Sequence, residues 1–256
     1  MTPPAIIVIV NRSQDTRIAD ALIPIVRALG RQLADDVAPT WGRMVPSLMV
    51  TDTPSSAASQ IVILDDADQA DVLGYHSETP EGIPYGRVFV SPIFANGGTI
   101  HSSDTSISVT LSHELLEIVG DPSVNYWADA EDGYSYALEL ADAVEGDSYL
   151  IGDVHVSNFV LPAFFDPRAE AGSRLDHMGK LGRPFTTTRG GYQIRRRITG
   201  HLDYVYGDSF PEWKRTMKTH PAARSRRRYV ETAIARDFGR APPPDTAPEI
   251  PENSEA

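Results

Sequence analysis

Ser112-His113-Glu114-Leu115-Leu116-Glu117 is the stretch whose residue types and spacing could do chemistry. It differs at one position from H-E-x-x-H, the helical zinc-binding pattern. On a helix, His113 and the residue four positions later share a face, so both can reach one ion. Glu114 stands where that pattern keeps its general base. The second ligand position carries a carboxylate, Glu117. A His and a Glu four apart also occur on helices that bind nothing. Here the surrounding helix is strongly apolar, and ionisable groups buried without partners are costly; a metal is one standard solution. Asp121 follows the helix directly, and a second acidic cluster, Glu139, Asp142 and Glu145, lies further on.

The elements that must position these residues can be read from hydrophobic spacing. Ile6 to Val10 is a β-branched run typical of a strand buried on both faces. From Gln14 to Asp36, Ile18, Leu22, Ile25, Leu29 and Leu33 recur at helical spacing, with Pro24 as a possible kink. Strands are expected near Ser47–Val50, at Ile61–Leu64 and at Arg87–Ser91. Gly74-Tyr75-His76 and Pro80-Glu81-Gly82 read as loop. A helix is expected from about Ser106 to Val119, stopped by Gly120 in a left-handed cap and by Pro122. Tyr149 to Pro162 reads as a hairpin turning at Gly152-Asp153. Gly190–Ile194 and Leu202–Tyr206 form another. The expected architecture is α+β: an N-terminal mixed sheet and helix lobe over 1–122, an irregular C-terminal lobe over 123–240 completing the site, and a disordered Pro- and Glu-rich tail over 241–256.

With the helix motif, the element order resembles the N-terminal subdomain of the zincin metalloproteases. The longer string His113-Glu-x-x-Glu117, Asp121-Pro122, Asn125-x-Trp127 and Glu139-x-x-Asp142 resembles little-characterised zincin-like families that carry H-E-x-x-E. EXORDIUM-type plant proteins look similar there. The resemblance implies metal-dependent peptide hydrolysis, in which water held at the metal is activated by Glu114. His113 and Glu117 would be ligands, and the third ligand stays open. Glu139 fits the thermolysin-like spacing, Asp142 fits the Glu-x-x-Asp comparison, and Asp121 is nearest in sequence. Asp121 has a second possible role, orienting His113 from outside the ligand set. It also implies that substrate pairs in extended form with Arg87–Ser91 as an edge strand. The likeness departs from the well-known branches at two places: a metzincin would need a ligand at Ser123, and a gluzincin a histidine at 117. One His and two carboxylates would leave a divalent site near neutral, which acidifies water less. Oxygen-rich ligation admits Mn²⁺ or Ca²⁺ beside Zn²⁺, and His113 makes Zn²⁺ the first choice. The rival reading is a non-catalytic zincin-like binding or assembly protein, such as a virus particle component, with a structural metal or carboxylate site. A hydrolase of non-peptide amides or esters is the other.

The remaining candidates are weaker. His76 is either a solvated loop residue or a contact to substrate in the cleft. His155 is expected on a strand's polar face. Tyr134, Tyr136 and Tyr149 are possible oxyanion donors. Asn125 and Trp127 would cap and cover the motif helix, and Phe159, Phe164 and Phe165 would pack in a core. Ser112 beside His113 makes no serine hydrolase, because adjacent helix residues point about 100° apart and no Gly-x-Ser-x-Gly elbow is present. Gly190-Gly191 does not open a phosphate loop.

Composition sets the outer limits. The chain has 256 residues, a net charge of −12 and no cysteine. The negative charge argues against nucleic acid as a general partner. Arg224 to Arg228 form the densest basic stretch, a possible contact for an acidic partner. There is no basic, apolar leader at the start and no apolar run near the roughly 20 residues that span a bilayer. The expectation is a cytoplasmic protein with no membrane partner, leaderless export being an alternative.

Overall fold

The computed structural model describes residues 4–212 apart from positions 43, 56, 69–71, 198, 200 and 210. The basic stretch 224–228 and the Pro- and Glu-rich end from 241 lie outside the described residues. The architecture is α+β. Strand β1 (Ile6–Asn11) is flanked in parallel by β2 (Ser47–Thr51) and β3 (Ser59–Leu64); β5 (Pro84–Phe89) adds in parallel to β3, and β4 (Gly74–Glu78) closes the sheet antiparallel to β5. Ile7, Ile9 and Val10 are fully buried, as the β-branched run requires, while Ile6 at the strand's start is exposed.

Two sequence expectations are corrected here. Gly74-Tyr75-His76, expected as loop, is the edge strand β4, and Arg87–Ser91, expected as the edge, is interior. Strand β5 ends at Phe89, and Val90 and Ser91 already belong to the short helix α3 (Val90–Ala95). The misleading residue is Arg87. A charged side chain usually marks an exposed strand, but Arg87 is 2% exposed, donates to Asp68 at 2.8 Å and to the Tyr85 hydroxyl at 3.0 Å. A buried charge persists when it is paired and hydrogen-bonded.

Helix α1 (Thr16–Arg31) is capped by Asp15, whose carboxylate accepts from the Arg17 amide, and buries Ile18, Leu22, Ile25 and Leu29 against the sheet. Pro24 lies inside it without ending it. The helix then widens into a π-helical segment, Gln32–Val37, and finishes as the short α2 (Ala38–Trp41) at left-handed Gly42. Helix α4 (Ile107–Gly120) starts at Ser106, whose hydroxyl accepts from the Val109 amide. It is buried nearly all round, the mark of a helix at the centre of a fold. Gly120 is not the expected left-handed cap; it is the last helical residue. A Cβ there would lie 2.1 Å from Leu140 Cδ1, so glycine permits close packing instead.

Beyond residue 122 the expected irregular lobe contains regular sheet. Strands β6 (Trp127–Asp129), β7 (Ser135–Ala137), β10 (Tyr192–Arg196) and β11 (Leu202–Tyr206) form one antiparallel sheet in the order β11-β10-β7-β6. The hairpin β8 (Ser148–Ile151) and β9 (Val154–Ser157) turns at Gly152, which has φ 68°. The main core joins both parts: Leu140, Ala141, Val154, Val156 and Phe159 pack with residues of the sheet, α1 and α4. Among the described residues no helix is long and apolar enough to cross a membrane.

A candidate metal centre on helix α4

The position of α4 is set by a buried polar network just before His113. Ser112 Oγ donates to Gln32 Oε1 at 2.7 Å and accepts from the Ser157 amide at 3.0 Å; Gln32 Nε2 donates to the Ser157 carbonyl at 2.8 Å. All three residues are buried and satisfied, so the network fixes the π-helical segment after α1, α4 and β9 against one another. One turn on, Glu117 is 1% exposed. Its carboxylate accepts from the Leu140 and Ala141 amides, both at 2.8 Å. These bonds hold the chain after β7 alongside the helix. The chain then tightens into a 3-10 turn, Asp142–Val144. That turn brings Asp142 Oδ1 to 3.2 Å from His113 Nε2, which is 3.7 Å from Glu117 Oε1.

His113, Glu117 and Asp142 thus offer three ligand atoms within 4.8 Å of one another. The donor set fits a divalent cation on three counts. It combines one imidazole and two carboxylates, a mixture suited to Zn²⁺ or Mn²⁺. Glu117 spends two hydrogen bonds on amides, and a carboxylate accepts about four, so it retains capacity for an ion. The third count is electrostatic. Burial pushes the Glu117 carboxyl well above the ordinary range, and the charges of Glu139 and Asp142 push it further. Burial also raises Glu139, partly offset by His76. Burial alone would lower His113, but its hydrogen bond to Asp142 and the charges of Glu114, Asp142 and Glu145 outweigh that and hold it raised. The centre is short of positive charge, which a cation supplies.

His76 and Glu139 adjoin the trio, with Glu139 hydrogen-bonded to Glu117. His76 lies on β4, not in a solvated loop, with Nδ1 3.4 Å from Glu114 Oε2 and Nε2 3.6 Å from Glu139 Oε2. Each ring nitrogen faces a different carboxylate, so the imidazole bridges the two. Glu139, one of the three candidates for third ligand from sequence, therefore faces His76 and lies outside the candidate trio. Asp121 is engaged elsewhere: its carboxylate accepts from the Ser123 amide at 3.3 Å and the Tyr126 amide at 2.6 Å, shaping the turn after α4. Glu114 lines a cleft with His113, Gly74, Asp104 and Glu145. Gly74 is needed there, since a Cβ would lie 2.8 Å from Glu114 Oε1 and 2.9 Å from the Arg87 carbonyl oxygen.

The other residues singled out from sequence serve the fold. Tyr134 accepts from Arg197 Nε, Tyr136 donates to Asp132 and Tyr149 to Asp36, so none is aimed at the trio by these bonds. Trp127 lies on β6 with the Arg196 guanidinium 4.0 Å over its ring. His155 is on β9 with Nδ1 2.7 Å from Ser148 Oγ. Phe159 and Phe164 are core, as expected. Gly191 has a role that sequence reasoning missed. A Cβ on it would meet the Ala143 carbonyl oxygen at 2.1 Å, so the start of β10 seats directly on the Asp142 turn. The Thr188 amide donates to the same carbonyl at 2.9 Å. No protein-family model matches the chain, and neither a curated protein nor a solved structure does.

Proposed function

We propose that this chain is a metal-dependent peptide hydrolase of zincin-like fold, with Zn²⁺ the first candidate ion. The observation that carries the reading is the convergence of His113, half-buried at the cleft, with the buried Glu117 and Asp142, and with Glu114 one residue along and facing the same cleft. A divalent ion supplies Lewis acidity to water and to a substrate carbonyl. His113, Glu117 and Asp142 hold it. Glu114 takes a proton at its carboxylate and returns it to the leaving amine. His76 keeps that carboxylate in place from one ring nitrogen, and Glu139 fixes the ring from the other. The peptide adds along β4, which among the described residues has one strand neighbour, in place of the Arg87–Ser91 segment expected from sequence.

A second reading, a non-catalytic zincin-like binding or assembly protein, draws on one observation: both Glu117 oxygens already tie α4 to the 140–141 backbone. Glu114→Gln separates the two. In a hydrolase it retains the metal and lowers peptide cleavage by at least about 100-fold, the scale of general-base loss. Cleavage by the variant at the wild-type rate, or metal-loaded wild-type protein that cleaves nothing in a diverse peptide mixture, rejects the hydrolase.

A further inference from the structure

We infer that the cleft selects a basic side chain, Lys or Arg, in the substrate. This inference rests on the metal-centre reading for its place in a reaction, but not for binding itself. The cleft has two kinds of wall. Val72, Leu73 and Val109 supply apolar surface, while Asp104 and Glu145 join Glu114 as carboxylates; among the described lining residues His113 is the only cationic type. A lysine or arginine matches both walls, because its methylene stem packs on apolar surface while its head seeks charge. Asp104 is also built into place. Its carboxylate accepts from Ser148 Oγ at 2.5 Å, and Ser148 is in turn 2.7 Å from His155 Nδ1. The loop that carries it is tied to the β8–β9 hairpin a second time, by the His155 amide donating to the His101 carbonyl at 2.9 Å. Asp104 is 70% exposed and lies at the cleft rim, where Ser148, with His155 Nδ1 3.7 Å from the same oxygen, orients its carboxylate. An acidic substrate side chain meets like charge there, so discrimination works by repulsion as well as attraction.

The test compares three capped tripeptides, Ac-Ala-Xaa-Ala-NH₂ with Xaa lysine, norleucine or glutamate, titrated into the full chain and followed by NMR. Norleucine keeps most of the stem and lacks the charge. Each titration is run on zinc-loaded and on chelator-treated protein. The lysine peptide is expected to bind about tenfold more tightly than the norleucine peptide, the scale of two partly exposed ion pairs. The preference falls to about one in Asp104→Asn/Glu145→Gln. In the wild-type chain raised salt weakens the lysine peptide alone, a readout that does not depend on the variant folding. Equal or tighter binding of norleucine, absence of binding by all three, or a preference that survives salt overturns the inference. A preference that holds in chelator-treated protein, with no zinc bound in the untreated sample, removes the metal-centre reading and leaves the basic-side-chain site standing.

Discussion

His113 and His76 divide the acids of the centre between them. His113 stands with Glu117 and Asp142, and His76 bridges Glu114 and Glu139. If Asp142 is the third ligand, Asp142→Asn lowers zinc affinity by more than about 100-fold, whereas Glu139→Gln costs less, about 10- to 100-fold, the effect of a partner one shell out. Isothermal titration reads both, and a larger loss in the Glu139 variant reverses the assignment. The raised carboxyls make a further expectation for metal-free protein. Glu117 and Glu139 hold protons in the folded state at pH values where the unfolded chain has released them. Stability is therefore present at low pH and is lost as pH rises above the ordinary carboxylate range. His113, also raised, loses its contribution in the same direction, as pH passes its folded value. The melting temperature of chelated protein should fall by several degrees between about pH 5 and about pH 8. Glu117→Gln should flatten that slope, and zinc should reverse it. A melting temperature that rises over this window contradicts the buried-acid picture.

At the scale of elements, the motif helix depends on close approaches that only glycine permits. Gly120→Ala pushes a methyl group into Leu140 and should destabilise by about 1–3 kcal/mol, with Leu140→Ala restoring part of it, as chemical denaturation would show. An unchanged midpoint would mean that the 138–141 segment is looser than described. Much of this level was legible in the sequence. The β1 run, the α1 periodicity, the Ser106 start of α4 and the turn at Gly152 all follow from local patterns that tertiary contacts reinforce. The failures share a cause, because each depends on a partner distant in sequence. Arg87 is buried because Asp68 and Tyr85 meet it. β4 looks like loop because its residues serve the site: Gly74 makes room for Glu114, and His76 bridges two acids. Asp142 could be told from Glu139 only once the 3-10 turn was placed against α4.

Across the whole molecule, the parts before and after residue 122 share one core. Leu140, Ala141, Val154, Val156, Phe159 and Leu161 complete the packing of α1 and α4. A fragment ending at 122 would leave the nearly all-round apolar α4 uncovered and Glu117 without its two amide donors. It should show no cooperative thermal transition by circular dichroism, while the full chain melts as one unit. An independently folding fragment would mean that two domains share the site. The central claim is that this single fold brings one imidazole and two carboxylates to a cation. Anomalous diffraction at the zinc edge, from crystals of the full chain grown with zinc, tests that most directly. The account predicts one peak per chain within about 2.2 Å of His113 Nε2 and of an oxygen from each of Glu117 and Asp142. No peak on α4, or a peak bound by His76 and Glu139 instead, contradicts it.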